Sequence, residues 1–152
     1  MDSESEAEEE DRPELPRLHG KVVFRDIHFA YPDSPETLSG IDQTLEMGQL
    51  TAVVGPAGAG KTTLASLIPR FLNATQGQVL FDGHDISEYK LTSLRQQIAF
   101  VFQETMLFDA SIAENLRLGR PEASLEDLRE ASRTAGALDF IEALPEGFET
   151  SL

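Results

Sequence analysis

Gly55-Pro56-Ala57-Gly58-Ala59-Gly60-Lys61-Thr62 is the most informative stretch of this 152-residue chain. It fits the pattern G-x-x-x-x-G-K-[ST] of a phosphate-binding loop, or P-loop. A short apolar, β-prone run over Gln49–Val54 precedes it, and apolar residues at helical spacing follow it. Because a P-loop joins a buried strand to the start of a helix, the sequence predicts an α/β fold of the P-loop type.

The residue types in this stretch suit the chemistry of phosphate binding. A phosphate chain is anionic, and glycines at 55, 58 and 60 allow the backbone to turn its N–H groups inward. The loop leads into a helix N-terminus, whose partial positive charge favours anions. We expect Lys61 to reach the β- and γ-phosphates of a nucleotide, and the Thr62 hydroxyl to coordinate Mg²⁺.

Composition and charge exclude several classes of protein. The net charge is −15, and residues 1–15 hold eight acidic residues and one basic residue. Nucleic acid is therefore not an expected partner. The chain has no cysteine and no apolar run as long as a membrane helix, so we expect the chain itself to be soluble. We expect residues 1–18 to be an acidic disordered linker and 19–152 to be the folded domain.

Short strands and helices are predicted along the rest of the chain. Further strands are expected at Val22–Phe24, Ile27–Phe29, Gln78–Phe81 and Gln97–Phe102, with a hairpin turn at Asp82-Gly83. One helix is expected to begin at about Lys61 and to end or kink at Pro69. Further helices are expected at Leu91–Gln96, after the caps Ser111 and Ser124, and at about Leu138–Leu144. The helix after Ser124 should bury a stripe of Leu125, Leu128, Ala131 and Ala135 and end at Gly136.

Three segments accompany the P-loop, namely Phe29-Ala30-Tyr31-Pro32, Val101-Phe102-Gln103 and the run Leu107–Leu116. Together they resemble the nucleotide-binding domain of ABC transporters, particularly the exporter type, over about Lys21–Leu152. The resemblance implies a P-loop NTPase core with an antiparallel β subdomain and the start of a helical subdomain, in a truncated form. It also implies ATP and Mg²⁺ as cofactors.

The resemblance assigns roles to individual residues. Tyr31 matches the family's A-loop, where an aromatic ring stacks on adenine. Gln103 matches the Q-loop glutamine, a catalytic residue that coordinates Mg²⁺ and senses the γ-phosphate. The expected metal ligands are therefore Thr62 and Gln103. The expected nucleotide-binding residues are Tyr31, Gly55, Gly58, Ala59, Gly60, Lys61, Thr62 and Thr63.

The same resemblance implies partners and a location. In the family, the region after the Q-loop glutamine contacts a transmembrane domain, and two nucleotide-binding domains form a head-to-tail dimer. The location would then be the cytoplasmic face of the inner membrane. The stretches Asp82–Ile86 and Glu88–Leu91 look like those of bacterial lipid A exporters, which points to export of a lipid.

Residues 1–152 do not include the family's LSGGQ signature or its Asp-Glu Walker B pair. Glu104 follows Gln103, but in the family this position faces the membrane domain, so it is not expected to act as the base. We therefore expect ATP binding without hydrolysis by these residues alone. The alternatives are another P-loop NTPase, such as a GTPase or small-molecule kinase, or a non-hydrolysing nucleotide-binding module. A GTPase usually carries an N-K-x-D motif, which does not occur here.

Overall fold

The computed structural model describes residues 11–103 and 106–152, so Glu104 lies outside the described residues. The chain forms two compact units, which divide between Phe100 and Val101. Among the described residues, no helix combines the length and apolar character needed to cross a bilayer.

The first unit contains a four-stranded antiparallel sheet in the order β2-β1-β3-β4. Its strands are β1 (Lys21–Ala30), β2 (Glu36–Glu46), β3 (Gln76–Phe81) and β4 (His84–Asp85). The central strand β1 joins the two short β-prone runs predicted from the sequence into one strand. Strand β2 was not predicted, because its residues are mostly polar and include Gly40.

A bulge at Asp26 keeps the apolar residues of β1 on the core side. Asp26 has φ of +47° and donates its N–H to Asp42 Oδ1 at 2.9 Å. The register to β2 shifts between Phe24 and Ile27, so both of these residues are buried despite their odd spacing. Gly77 on β3 lies against this bulge, where an added Cβ would be 2.2 Å from the Asp26 carbonyl oxygen.

The turn predicted at Asp82-Gly83 joins β3 to β4. Both residues have positive φ, +49° and +89°, as a type I′ hairpin turn requires. The Asp82 carboxylate also accepts the backbone N–H groups of His19, Gly20 and Lys21 at 2.7–3.1 Å. These hydrogen bonds, first of all that from His19, hold the pKa of Asp82 below its usual value.

Two helices complete the first unit. Helix α1 (Lys61–Leu67) ends before Pro69, as predicted, and α2 is Leu91–Arg95. Their buried leucines, Leu67 and Leu94, join the apolar side chains of the sheet in one core. The buried members of this core are Leu15, Val22, Phe24, Ile27, Phe29, Leu38, Leu67, Val79, Phe81, Ile86 and Leu94.

Residues 12–18, which the composition assigned to a disordered linker, are instead held against this unit. Leu15 is buried, and its N–H donates to Ser93 Oγ at 2.9 Å. The Gln97 side chain accepts the Leu18 N–H at 2.7 Å and donates to the Pro16 carbonyl at 3.2 Å. The polar composition of the segment gave no sign of these long-range bonds.

Two predicted strands are absent from the described residues. Gln49–Val54 and Gln97–Phe102 have no strand assignment, and Leu50, Val54 and Val101 are almost fully exposed. An apolar run becomes a strand only when a neighbouring strand pairs with its backbone. The described residues provide no such partner for either segment. The strand prediction is therefore wrong for both segments of this chain.

The second unit is helical. It contains α3 (Ile112–Arg117), α4 (Leu125–Thr134) and α5 (Leu138–Glu142), followed by a 3₁₀ turn at Gly147–Glu149. The predicted caps are confirmed: Ser111 with Glu114, and Ser124 with Asp127, each form a reciprocal capping box. The core consists of Ile112, Ala113, Ala123, Leu128, Leu138, Ile141 and Phe148.

The predicted buried stripe of α4 is only partly correct. Leu128 is buried, but Leu125, Ala131 and Ala135 are exposed, and Ser132 is buried instead. The core of this unit lies on the side of α4 that carries Leu128 and Ser132, four residues apart. The end of α4 is as predicted, since Gly136 has φ of +71° and the N–H of Ala137 bonds to the Ser132 carbonyl.

Candidate functional site

The backbone of the P-loop depends on two of its glycines. Gly58 and Gly60 have φ of +78° and +82°, in the left-handed region that favours glycine. Gly60 also packs closely on β2, because an added Cβ would be 2.8 Å from Leu38 Cδ2. Gly55 does not have a positive φ, and what it adds to the loop is a carbonyl oxygen that accepts a hydrogen bond from Lys61.

The Lys61 ammonium lies inside the curve of the P-loop. Its Nζ donates to the carbonyl oxygens of Gly55 at 3.0 Å and Pro56 at 2.7 Å. The chain thus holds a positive charge against the first two residues of the loop. An anion at this position would gain a charge-assisted hydrogen bond in exchange for one of the carbonyl contacts.

Tyr31 reaches the same place from the end of β1. Its hydroxyl lies 3.1 Å from Thr63 Oγ1, and Thr63 is a buried residue of α1. The Tyr31 ring also makes an edge contact with Phe29, with ring centroids 4.8 Å apart. Tyr31 is 43% exposed, so part of its ring is open to a ligand.

A pocket of about 290 Å³ lies between Tyr31 and the P-loop. Its lining residues are Tyr31, Thr37, Gly58, Ala59, Gly60, Lys61, Thr62 and Thr63. The structure therefore brings together all the predicted nucleotide-binding residues except Gly55, which lies at the start of the loop. Thr37 was missed by the sequence reasoning, because it belongs to β2 and no local signal marked that strand.

Gln103 lies in the second unit, at an exposed bend next to the undescribed residues 104 and 105. Its place beside the nucleotide therefore stays a prediction.

His28 has two side-chain contacts that the sequence did not reveal. Its Nδ1 lies 2.7 Å from Glu36 Oε1, and its Nε2 lies 3.2 Å from Asp26 Oδ1. The hydrogen bond to Glu36 is the main cause that raises the pKa of His28, and it lowers the pKa of Glu36.

Comparison with known proteins gives consistent results. The sequence pattern of the ABC transporter family matches residues 38–150. An ATP-dependent lipid A-core flippase of Syntrophus aciditrophicus (strain SB) is 48% identical over 137 residues, which are 90% of this chain and 23% of that protein. A fatty acid ABC transporter ATP-binding/permease protein of Mycobacterium tuberculosis is 43% identical over 147 residues, which are 97% of this chain and 23% of that protein.

A solved structure shares the fold. The structure of a bacterial Atm1-family ABC exporter with ATP bound aligns with a TM-score of 0.86 and 37% identity, over 93% of this chain and 25% of that one. The chain thus spans about a quarter of the length of the proteins it matches. With the P-loop and Tyr31 meeting at one pocket, this chain belongs to the ABC transporter family, as part of a nucleotide-binding domain of the exporter type.

Proposed function

We propose that the pocket between Tyr31 and the P-loop binds ATP, with the Tyr31 ring on the adenine and Lys61 at the β- and γ-phosphates. The observation that carries this proposal is that Tyr31, whose hydroxyl lies 3.1 Å from Thr63 Oγ1, lines the same pocket as the P-loop glycines and Lys61. An exposed aromatic ring and an ammonium held at the P-loop, both of which line one pocket, suit the base and the phosphates of a nucleotide.

The residues of the pocket also fit Mg²⁺. Thr62 is one of the residues that line the pocket, and it is exposed at the first turn of α1. Mg²⁺ prefers oxygen ligands and is commonly held by one or two protein groups together with phosphate oxygens and water. Thr62 would hold the ion, which supplies positive charge to the phosphate oxygens when bound, and Gln103 stays a predicted second ligand. Thr62 is the ligand that the pocket geometry supports.

In the whole protein, we propose that ATP binding powers export across a membrane. Relatives whose names describe a lipid A-core flippase and a fatty acid transporter favour a lipid as the cargo. The protein would then be an ATPase that works as a head-to-tail pair of nucleotide-binding domains. This chain would lie on the cytoplasmic face of the membrane.

The segment after Gln103 is suited to contact a transmembrane domain. Met106, Leu107 and Phe108 are large apolar residues, and all three are mostly exposed. The Asn115 side chain fixes the end of this segment: it accepts the Phe108 N–H at 2.8 Å and donates to the Phe108 carbonyl at 3.0 Å. A held loop with exposed apolar side chains favours a partner at this surface.

Nucleotide binding is tested by titrating the chain with ATP, ADP and AMP, with and without Mg²⁺. We expect affinity to fall as phosphates are removed, and Mg²⁺ to strengthen ATP binding most, because Lys61 and Thr62 act on the terminal phosphates. AMP that binds as tightly as ATP would contradict the proposal, since the base alone would then supply the affinity.

A further inference from the structure

We propose that His28 is a positioning residue for nucleotide binding: by bonding Glu36, it closes the loop of residues 31–35 and holds Tyr31 in place for the base. The inference rests on the proposed contact between Tyr31 and the nucleotide. Neither the predicted motif residues nor the lining of the pocket includes His28 or Glu36.

The strand pairing behind the loop that carries Tyr31 is irregular. Ile27 pairs with Ile41, Phe29 with Leu38 and Ala30 with Glu36, with a register shift between each of these pairs. Ala30 and Glu36 pair at the base of the loop, but the shifts interrupt the regular ladder behind them. The 2.7 Å contact between His28 Nδ1 and Glu36 Oε1 joins β1 to the first residue of β2, across the base of the loop.

His28 is itself well anchored. Its carbonyl oxygen accepts both the N–H and the hydroxyl of Thr75 at 2.9 Å, on the side of β3. Its ring is 23% exposed and has a second contact with Asp26 at the bulge. The link from this ring to Glu36 spans the segment from Phe29 to Pro35, so it closes the part of the chain that contains Tyr31.

The charges around the ring make the link sensitive to pH. Glu36 of β2 and Asp26 of β1 both contact the His28 ring. Asp42 of β2 accepts the Asp26 N–H, and the residue of β3 that pairs with His28 is the uncharged Gln76. A protonated ring donates to both carboxylates, whereas a neutral ring donates from one nitrogen only. The carboxylates raise the pKa of His28, so the link is complete below the ordinary pKa of 6.5 and weakens as pH rises through the higher, folded value.

The test compares ATP with inorganic tripolyphosphate as ligands of the 152-residue chain. We expect His28→Gln to weaken ATP binding roughly two- to fivefold at pH 6, the scale of a partly exposed ion pair, and to leave tripolyphosphate binding unchanged. The ATP affinity of the wild type should approach that of the variant as pH rises. His84→Gln is the matched control, because the His84 side chain hydrogen-bonds only to Tyr89 among the described residues and His84 lies in the hairpin of β3 and β4.

A double-variant cycle separates positioning from a general loss of stability. In a Tyr31→Ala background, His28→Gln should have no further effect on ATP binding, and Glu36→Gln should reproduce the His28→Gln result with nearly unchanged side-chain shape. Equal weakening of ATP and tripolyphosphate, or a full effect of His28→Gln without Tyr31, would overturn the inference. A wild-type chain that does not bind ATP would instead defeat the proposed function.

Discussion

The Tyr31 hydroxyl lies 3.1 Å from the Thr63 hydroxyl, and this contact joins the end of a strand to the first turn of the helix that follows the P-loop. The two residues are 32 positions apart in the sequence. Their contact brings an aromatic ring to the helix that begins at the P-loop, and both residues line one pocket with the loop.

Replacing Tyr31 with alanine should weaken ATP and GTP binding together. Stacking uses a π-face that every base has, and it contributes about 1–3 kcal/mol per base in nucleic-acid complexes. Equilibrium titration of Tyr31→Ala with both nucleotides measures the loss. Tyr31→Phe is the control, because it keeps the ring and removes only the hydroxyl contact to Thr63. If both nucleotides bind Tyr31→Ala normally, Tyr31 is a structural residue.

The capping box of α4 should make the second unit sensitive to acid. Hydrogen bonds from Ser124, and then from Arg120, lower the pKa of Asp127 from 3.8 to about 2. A carboxylate whose pKa is lower in the folded state stabilises the fold above its unfolded pKa, and this contribution disappears as pH falls from about 4 towards 2.

Thermal unfolding at several pH values tests this cap. Asp127→Asn should lower the melting temperature at pH 7 and have a much smaller effect at pH 2, where the wild-type carboxyl is also largely protonated. Glu130→Gln, on the exposed part of the same helix, should have little effect at either pH. An Asp127→Asn penalty that is the same at pH 2 and pH 7 would mean that the charge does not contribute.

Residues 1–152 on their own should bind ATP without releasing phosphate, and should self-associate. These residues include no carboxylate that the family places beside the attacking water, and a positioned general base contributes about 10²–10⁴-fold to the rate. The exposed segment Gln49–Val54 also pairs with no strand among the described residues, so its backbone is available to another chain.

Phosphate release and sedimentation of the 152-residue chain measure both properties. Leu50→Lys should reduce self-association without a loss of melting temperature, because Leu50 is fully exposed and a lysine opposes strand pairing. A monomeric, sharply melting 152-residue chain that hydrolyses ATP would show that this interpretation is wrong.

The parts of the structure that sequence predicted well are those with local causes. The P-loop, the Asp82-Gly83 turn and the caps Ser111 and Ser124 each depend on a few adjacent residues whose chemistry permits little else. Their side-chain and backbone requirements are visible in the sequence without knowledge of distant contacts.

The parts that were missed or wrong depend on long-range pairing. Gln49–Val54 has the composition of a strand but has no partner strand among the described residues, so composition alone gave a wrong strand prediction. Strand β2 and its pocket residue Thr37 show the reverse case, since pairing with β1 makes a strand from a largely polar sequence. The link between His28 and Glu36 likewise follows from the register of those two strands.

The most direct test of the proposed site is a titration of Lys61→Ala with a fluorescent ATP analogue. Lys61 is the cation held within the P-loop, and a charge-assisted hydrogen bond contributes about 1.5–3 kcal/mol. Lys21→Ala, at the exposed start of β1, controls for a general loss of positive charge. We predict that Lys61→Ala weakens binding roughly tenfold or more while Lys21→Ala does not. Unchanged affinity in Lys61→Ala would contradict nucleotide binding by this P-loop.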